Sequence, residues 1–142
     1  MKILLDTNVV VDVLQNRSPW CKDGQLIFRG AVQKLFTACM TSKEATDIHY
    51  LMMKFFKGQE KSDEMARAIL TVLFDNFELL DTQAADCKNA VSSSCPDYED
   101  AVMIETAVRA GVDCIITRNV RDFAASPLPV CTPSDFVQQY ME

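Results

Sequence analysis

The sequence predicts an α/β protein, a three-layer α/β/α sandwich around a mostly parallel central sheet of about five strands. Short apolar runs bounded by polar residues alternate along the chain with longer segments whose apolar residues recur at helical spacing. This alternation is typical of βαβ units, in which a helix returns the chain so that the next strand lies parallel to the previous one. The 142 residues, 49% of them hydrophobic, suffice for one core, so we expect a single domain over residues 1–142.

In the first half of the chain we expect two strands and four helices. The strands fall on residues 3–5 and 37–42, and the helices on 9–14, 25–36, 43–56 and, after a polar turn, within 57–76. Asn8 and Ser42 are the expected N-caps of the first and third helices, because their side chains can accept from free backbone N–H groups. The segment RSPWCKDG, residues 17–24, is expected to form a loop.

In the second half of the chain we expect three more strands and three more helices. The strands fall on residues 77–81, 112–117 and 128–132, and the helices on 82–93, 95–111 and 133–140. Thr82 and Asp97 are the expected N-caps, Gly111 ends the clearest helix, and Pro133 lies in the first turn of the last one.

Composition limits the functions that the chain can have. The formal net charge of −6 argues against a broad basic surface for nucleic acid, but a nuclease whose acidic site binds metal is compatible with it. The six cysteines form no C-x-x-C pair and are expected to be small buried residues in a reducing compartment rather than zinc ligands. Because no run approaches the roughly 20 apolar residues of a membrane span and no leader cleavage pattern is present, we expect a cytoplasmic protein.

Acidic residues follow strands that are far apart in the sequence. Asp6 and Asp122 follow the first and fourth strands, and Glu44 and Asp100 lie in the first turns of helices that start at the same edge of the sheet. Asp6 or Glu44 alone would be interpreted as a helix cap. Four carboxylates at one edge repel one another unless a cation lies between them, and oxygen ligands suit Mg²⁺ or Mn²⁺. Such sites are typical of phosphodiester hydrolysis by metal-activated water.

Four segments carry a family resemblance: LLDTNVVVDVL, SKEATDIHYL, DYEDAVMIETAVRAGVDCIITRNVRDF and PLPVCTPSDFV. In this order and spacing the chain resembles, over essentially its whole length, the PIN-domain ribonucleases, and in particular the VapC-type toxins of bacterial toxin–antitoxin pairs. The resemblance implies a PIN-like fold and matches the first three family acids to Asp6, Glu44 and Asp100. Asp122 is taken as the fourth, with Asn119, where many members have an aspartate, as a neutral ligand or hydrogen-bond donor.

The neighbouring polar residues have supporting roles in this interpretation. Thr7, Asn8 and Thr117 would orient carboxylates or ordered water, and Asp97 is favoured as a helix cap over a ligand. The basic residues near this edge that could contact RNA phosphates are Arg17, Lys22, Lys43, Arg118 and Arg121, of which Arg118 and Arg121 could instead pair with the site acids when metal is absent.

The resemblance implies a Mg²⁺- or Mn²⁺-dependent endoribonuclease that forms a homodimer and binds a cognate antitoxin. The alternative is a PIN-like scaffold that binds RNA or protein without cleaving, for which Asn119 is the supporting feature. A phospho-acceptor receiver domain is disfavoured because it needs paired acids after the first strand, where this chain has DTN. His49, the sole histidine, is expected to be structural, and Trp20 either stacks on a base or anchors its loop.

Overall fold

A sheet of five parallel strands forms the centre of the computed structural model, which describes residues 1–142. The strands are β1 (Lys2–Leu5), β2 (Thr37–Thr41), β3 (Glu78–Leu80), β4 (Cys114–Ile116) and β5 (Val130–Cys131), in the order β3-β2-β1-β4-β5. Every adjacent pair is parallel, with Leu5 opposite Ile116 at the carboxyl ends of β1 and β4. The predicted α/β class and strand number are confirmed.

Helices cover both faces of the sheet. They are α1 (Thr7–Leu14), α2 (Cys21–Val32), α3 (Ser42–Phe55), α4 (Ser62–Asn76), α5 (Ala84–Ala90), α6 (Tyr98–Arg109) and α7 (Pro133–Tyr140), with a 3₁₀ helix at Val120–Phe123. Ile3 and Leu5 pack with α1–α4 and α7, whereas Leu4 packs with α5, α6 and the 3₁₀ helix. Alternate side chains of β1 therefore contribute to two separate cores, as expected for a sheet buried on both faces. None of the helices combines the length and apolar character that a membrane crossing requires.

The N-caps of three helices differ from the sequence prediction. The cap of α1 is Asp6 rather than Asn8, because the Asp6 carboxylate accepts from the N–H of Thr7 at 2.8 Å. The cap of α3 is Thr41 rather than Ser42, and that of α5 is Gln83 rather than Thr82. At α6 the prediction is confirmed, since Asp97 accepts from the Asp100 N–H at 3.1 Å and Gly111, with φ of +73°, follows its last turn.

Helix α2 was predicted four residues late at both ends. It begins at Cys21, within the expected loop, because Gly24 is a packing residue rather than a turn: a Cβ there would lie 2.6 Å from Val13 Cγ2 of α1. It ends at Val32 rather than at residue 36, because Lys34 adopts a left-handed φ of +58°.

The strand order determines where a ligand site can lie. From β1 the chain passes to β2 on one side, and after β3 it returns to β4 on the other side of β1. The crevice beyond the carboxyl ends of β1 and β4 is therefore the topological switch point at which open parallel sheets bind ligands.

Candidate active site

Asp6 lies at this switch point and is held in place by both neighbouring elements. Its N–H donates to the carbonyl of Ile116 at 2.9 Å, which extends the β1–β4 pairing by one residue. Its Oδ2 accepts from the Thr117 hydroxyl at 2.7 Å, and its Oδ1 accepts from the Thr7 N–H. The carboxylate is only 8% exposed, so its orientation is set by the protein rather than by solvent.

Glu44 is the most buried acid of the site, with 1% exposure. It forms a capping box with Thr41: its Oε1 accepts from the Thr41 N–H at 2.9 Å, and the Thr41 hydroxyl accepts from the Glu44 N–H at 3.2 Å. The Thr7 hydroxyl donates to Glu44 Oε2 at 3.3 Å. Thr7 thus contacts Asp6 through its backbone and Glu44 through its side chain, which couples the two carboxylates.

Asp100, in the first turn of α6, completes an acidic cavity. Asp6, Glu44 and Asp100 line the same cavity of about 300 Å³. The remaining lining residues come mainly from α1, α3 and α6 and are Thr7, Thr41, Lys43, Asp47, Tyr50, Leu51, Thr82, Glu99, Val102 and Met103. The structure therefore brings three of the four predicted acids together.

Burial and mutual repulsion make this cavity unfavourable for negative charge. Burial raises the pKa of Asp6 above its ordinary value and raises that of Glu44 much further, and the charge of Asp6 adds to the shift at Glu44. Burial, followed by repulsion from Asp6, raises the pKa of Asp100 to about 7. The Arg118 charge lowers the pKa of Asp6 only in part, and none of the three carboxylates forms an ion pair, which is the electrostatic setting that a cation would relieve.

The donor chemistry of Asp6, Glu44 and Asp100 fits Mg²⁺ or Mn²⁺. Each carboxylate is oriented by hydrogen bonds or by its helix turn and keeps further lone pairs, and hard divalent ions prefer oxygen ligands. No group of three or more His, Cys, Asp or Glu side chains converges closely enough to form a complete ligand set. The fit of these residues to a divalent ion therefore lies in the type of donor atom, the burial and the charge.

Asp122 and Asn119 lie outside the cavity. Both are exposed, and the Asp122 N–H donates to the Asn119 carbonyl at 2.9 Å at the start of the 3₁₀ helix. The charge of Asp122 nevertheless contributes, after burial, to the raised pKa of Asp6 and of Asp100. Asn119 lines a neighbouring cleft, and its N–H donates to the Thr117 hydroxyl at 3.1 Å.

The predicted basic residues have different partners. Lys43 lines the cavity, with its Nζ 2.8 Å from Asp47 and 3.4 Å from Glu99. Arg17 and Arg118 both pair with Asp12 instead of the site acids.

Arg121 is exposed and forms no ion pair.

Among the polar residues predicted to support the site, Asn8 accepts from the Arg118 N–H at 3.4 Å. His49 lies 2.7 Å from Asp63 of α4 and does not line the cavity, which agrees with a structural role.

Sequence reasoning missed Asp12 and Thr41. Asp12 is 1% exposed, and its position inside the apolar run VVVDVL was the available indication of a buried ion pair. Thr41 falls inside the strand predicted over residues 37–42, although T-S-K-E has the spacing of a capping box.

The parallel sheet and the carboxylate cavity at its switch point define an α/β protein with an acidic site. The sequence profile of the PIN domain matches residues 2–121, and the chain belongs to the PIN-domain family. No curated protein matches the chain.

Solved structures share the fold at low sequence identity. FitAB bound to an IR36 DNA fragment is similar over 92% of this chain and 94% of that chain, with a TM-score of 0.72 and 16% identity. VapBC2 from Rickettsia felis, bound to a promoter DNA fragment, is similar over 93% of this chain and 98% of that chain, with a TM-score of 0.65 and 17% identity. VapC20 from Mycobacterium tuberculosis, a Sarcin-Ricin loop cleaving toxin, is similar over 80% of this chain and 86% of that chain, with a TM-score of 0.59 and 13% identity.

Proposed function

We propose that the protein is a Mg²⁺- or Mn²⁺-dependent endoribonuclease and the toxin of a toxin–antitoxin pair. The observation that carries this proposal is the convergence of Asp6, Glu44 and Asp100 on one cavity at the switch point of the sheet. Membership of the PIN-domain family and the likeness to a toxin that cleaves the Sarcin-Ricin loop support it.

In this proposal the chain supplies orientation and charge. Asp6, Glu44 and Asp100 hold the ion, while Thr7 and Thr117 fix Asp6 and Glu44 through the hydrogen bonds described above. When bound, the ion would activate water and neutralise charge on the phosphate. Lys43, on the cavity wall, would contact a phosphate of the RNA.

Asp122 would be the fourth acid, acting from outside the cavity through its charge, which contributes, after burial, to the raised pKa of Asp6 and of Asp100, with Asn119 beside it. Arg121, which has no carboxylate partner, is available for a more distant phosphate.

An antitoxin partner is supported by the VapBC complexes among the structural neighbours. The chain also carries an apolar cleft of about 380 Å³ between α1, α2 and α4. Nine of its ten lining residues are hydrophobic, and Val32 and Val72 are 60% and 61% exposed. We propose that an apolar segment of the antitoxin fills this cleft, since exposed apolar patches mark interaction sites.

We further propose a homodimer in the cytoplasm. Tyr50 and Phe55 of α3 are 62% and 51% exposed, and a second copy of the chain would cover them. Sedimentation of the purified protein measures this directly.

A non-catalytic scaffold is the second candidate function. It is favoured by the position of Asn119 and Asp122 outside the cavity, so that only three of the four predicted metal-binding acids line the cavity. Metal binding without turnover would distinguish it from the enzyme.

A cleavage assay tests the proposal. Structured RNA is incubated with the protein in Mg²⁺, in Mn²⁺ and in a chelator, alongside Asp6→Asn and the control Asp75→Asn, an exposed acid of α4. We expect cleavage only with metal, a loss of at least about 100-fold in Asp6→Asn, and no loss in the control. Unimpaired cleavage by Asp6→Asn would contradict the proposed site.

A further inference from the structure

Trp20 is a half-exposed aromatic residue in a second cleft, outside the acidic cavity. Its side chain is 46% exposed at the start of α2, and the Arg118 guanidinium carbon lies 4.2 Å from its ring centroid. The two residues line a cleft of about 450 Å³ together with Asn119; the other lining residues are Pro19, Asp23, Thr132, Pro133 and Ser134. The proposed catalytic mechanism uses neither Trp20 nor this cleft.

Asp12 fixes the guanidinium that covers the indole. Arg118 Nε lies 2.8 Å from Asp12 Oδ2, and Arg118 Nη2 donates to Oδ1 at 3.3 Å. Arg17 Nη1 lies 3.6 Å from the same Oδ1. Asp12 is almost completely buried and its pairing with Arg118 places the guanidinium over Trp20, where a cation over one face of an indole makes a favourable contact.

The segment 117–119 links the Trp20 cleft to the acidic cavity. Thr117, the residue before Arg118, donates to Asp6, and Asn119, the residue after it, lines the cleft. The Arg118 N–H donates to Asn8 Oδ1 at 3.4 Å, which ties the segment to α1. A polynucleotide with one phosphate at Asp6 would pass along residues 117–119 to reach Trp20.

We propose that Trp20, backed by Arg118, is a stacking platform for a base of the RNA that flanks the cleaved phosphodiester; the inference rests on the proposed ribonuclease function. Bases stack on exposed aromatic side chains whatever their identity, because each has a π face. Arg17 and Arg118 offset the charges of Asp12 and of Asp23 in the cleft, so this region lacks the excess of negative charge that would repel a polyanion. Asp23, Asn119 and Ser134 line the same cleft and offer hydrogen-bonding groups to the edge of a stacked base.

Trp20 is the only tryptophan, so its fluorescence reports on this cleft alone. Metal-free protein is titrated in a chelator, where no cleavage occurs, with short single-stranded RNAs that carry an abasic site at each position in turn. Binding is followed independently by the anisotropy of labelled RNA. We expect RNA to quench the indole emission, and the quenching to disappear when one particular base is removed.

Three variants separate stacking from folding. Trp20→Ala is expected to weaken RNA binding about tenfold, whereas Trp20→Phe, which keeps a ring, stays within about threefold of the wild type. Phe74→Ala removes an aromatic side chain of similar exposure (42%) from α4 and is expected to bind normally. Circular dichroism of each variant confirms the fold.

RNA binding with unchanged indole emission and with equal affinity for Trp20→Ala would overturn the inference, as would the absence of RNA binding. Cleavage by the wild type in Mg²⁺ or Mn²⁺, measured in parallel, is a separate result. If RNA is cleaved but the indole emission does not change, the ribonuclease proposal stands and the stacking inference fails. If the indole emission is quenched but RNA is not cleaved, the ribonuclease proposal fails and Trp20 still binds a base.

Discussion

Thr117 and Asp6 form the hydrogen bond that joins the carboxyl ends of β4 and β1. The Thr117 hydroxyl donates to Asp6 Oδ2 at 2.7 Å, and the two side chains are 0% and 8% exposed. Residues 111 positions apart in the sequence thus meet at the switch point, and the bond fixes which Asp6 lone pairs face the cavity.

Replacing Thr117 tests the importance of this orientation. Thr117→Val keeps the shape but removes the hydroxyl, so we expect Mn²⁺ affinity and RNA cleavage to fall about 10- to 100-fold, as for other residues that orient metal ligands. Thr117→Ser retains the donor and is expected to stay near the wild type. Calorimetric titration of both variants measures the effect, and equal affinity in Thr117→Val would show that Asp6 needs no such support.

Glu44→Gln is expected to separate stability from activity. Burial raises the pKa of Glu44, so its charged form costs free energy in the metal-free protein. Glutamine can still accept from the Thr41 N–H, and it removes that charge. We therefore expect the Tm in a chelator at pH 8 to rise by about 2–5 °C, while cleavage falls at least about 100-fold. The Asp75→Asn control should change neither, and a lower Tm for Glu44→Gln would contradict the account.

The stability of the metal-free protein is expected to fall as pH rises from 5 to 8. Burial, with repulsion from Asp6, raises the pKa of Asp100 from 3.8 to about 7. The folded state therefore binds this proton more tightly than the unfolded state. The resulting stabilisation is complete below about pH 4 and is lost as pH rises through about 7.

Asp86 changes the free energy of unfolding in the opposite direction, but only below about pH 4. The hydrogen bond from Arg109 is the main reason that the pKa of Asp86 is lowered, so its stabilisation is lost only as the pH falls through that range. Urea unfolding in a chelator at pH 5 and at pH 8 measures how the free energy of unfolding changes with pH. Asp100→Asn should reduce this pH dependence, and a dependence that the substitution leaves unchanged would show that Asp100 does not titrate in this range.

Val72→Asp tests the antitoxin cleft. A carboxylate at this 61%-exposed position would oppose an apolar segment without disturbing the core. We expect co-expressed antitoxin to be lost from the purified complex, while RNA cleavage by the free variant stays normal. Val108→Asp, on the exposed side of α6, is the matched control. Retention of antitoxin by Val72→Asp would place the contact elsewhere.

The sequence predicts the sheet and most of the acidic site correctly, because the local hydrophobic pattern and the topology of a parallel sheet agree there. The apolar runs of β1 and β4, and the rule that carboxyl ends of parallel strands share an edge, predicted that four acids would lie together, of which Asp6, Glu44 and Asp100 line one cavity and Asp122 does not. It was less informative where tertiary packing decides. Gly24 has the appearance of a loop residue, but its small size permits the close contact between α1 and α2.

Two features of the site depend on contacts that periodicity does not reveal. The segment after β4 forms a 3₁₀ helix, whose Asp122 carbonyl accepts from the Cys95 thiol at 3.4 Å, and Asp122 does not line the cavity. The pairing of Asp12 with Arg118 joins residues 106 positions apart.

Calorimetric titration of Mn²⁺ into the wild type, into Asp6→Asn plus Asp100→Asn, and into the control Asp75→Asn tests the central claim most directly. The acidic cavity predicts Mn²⁺ binding in the wild type and the control, its loss in the double variant, and the loss of RNA cleavage in the same variant. Equal Mn²⁺ binding by the wild type and the double variant, or no binding by either, would contradict the assignment of this cavity as the metal and catalytic site.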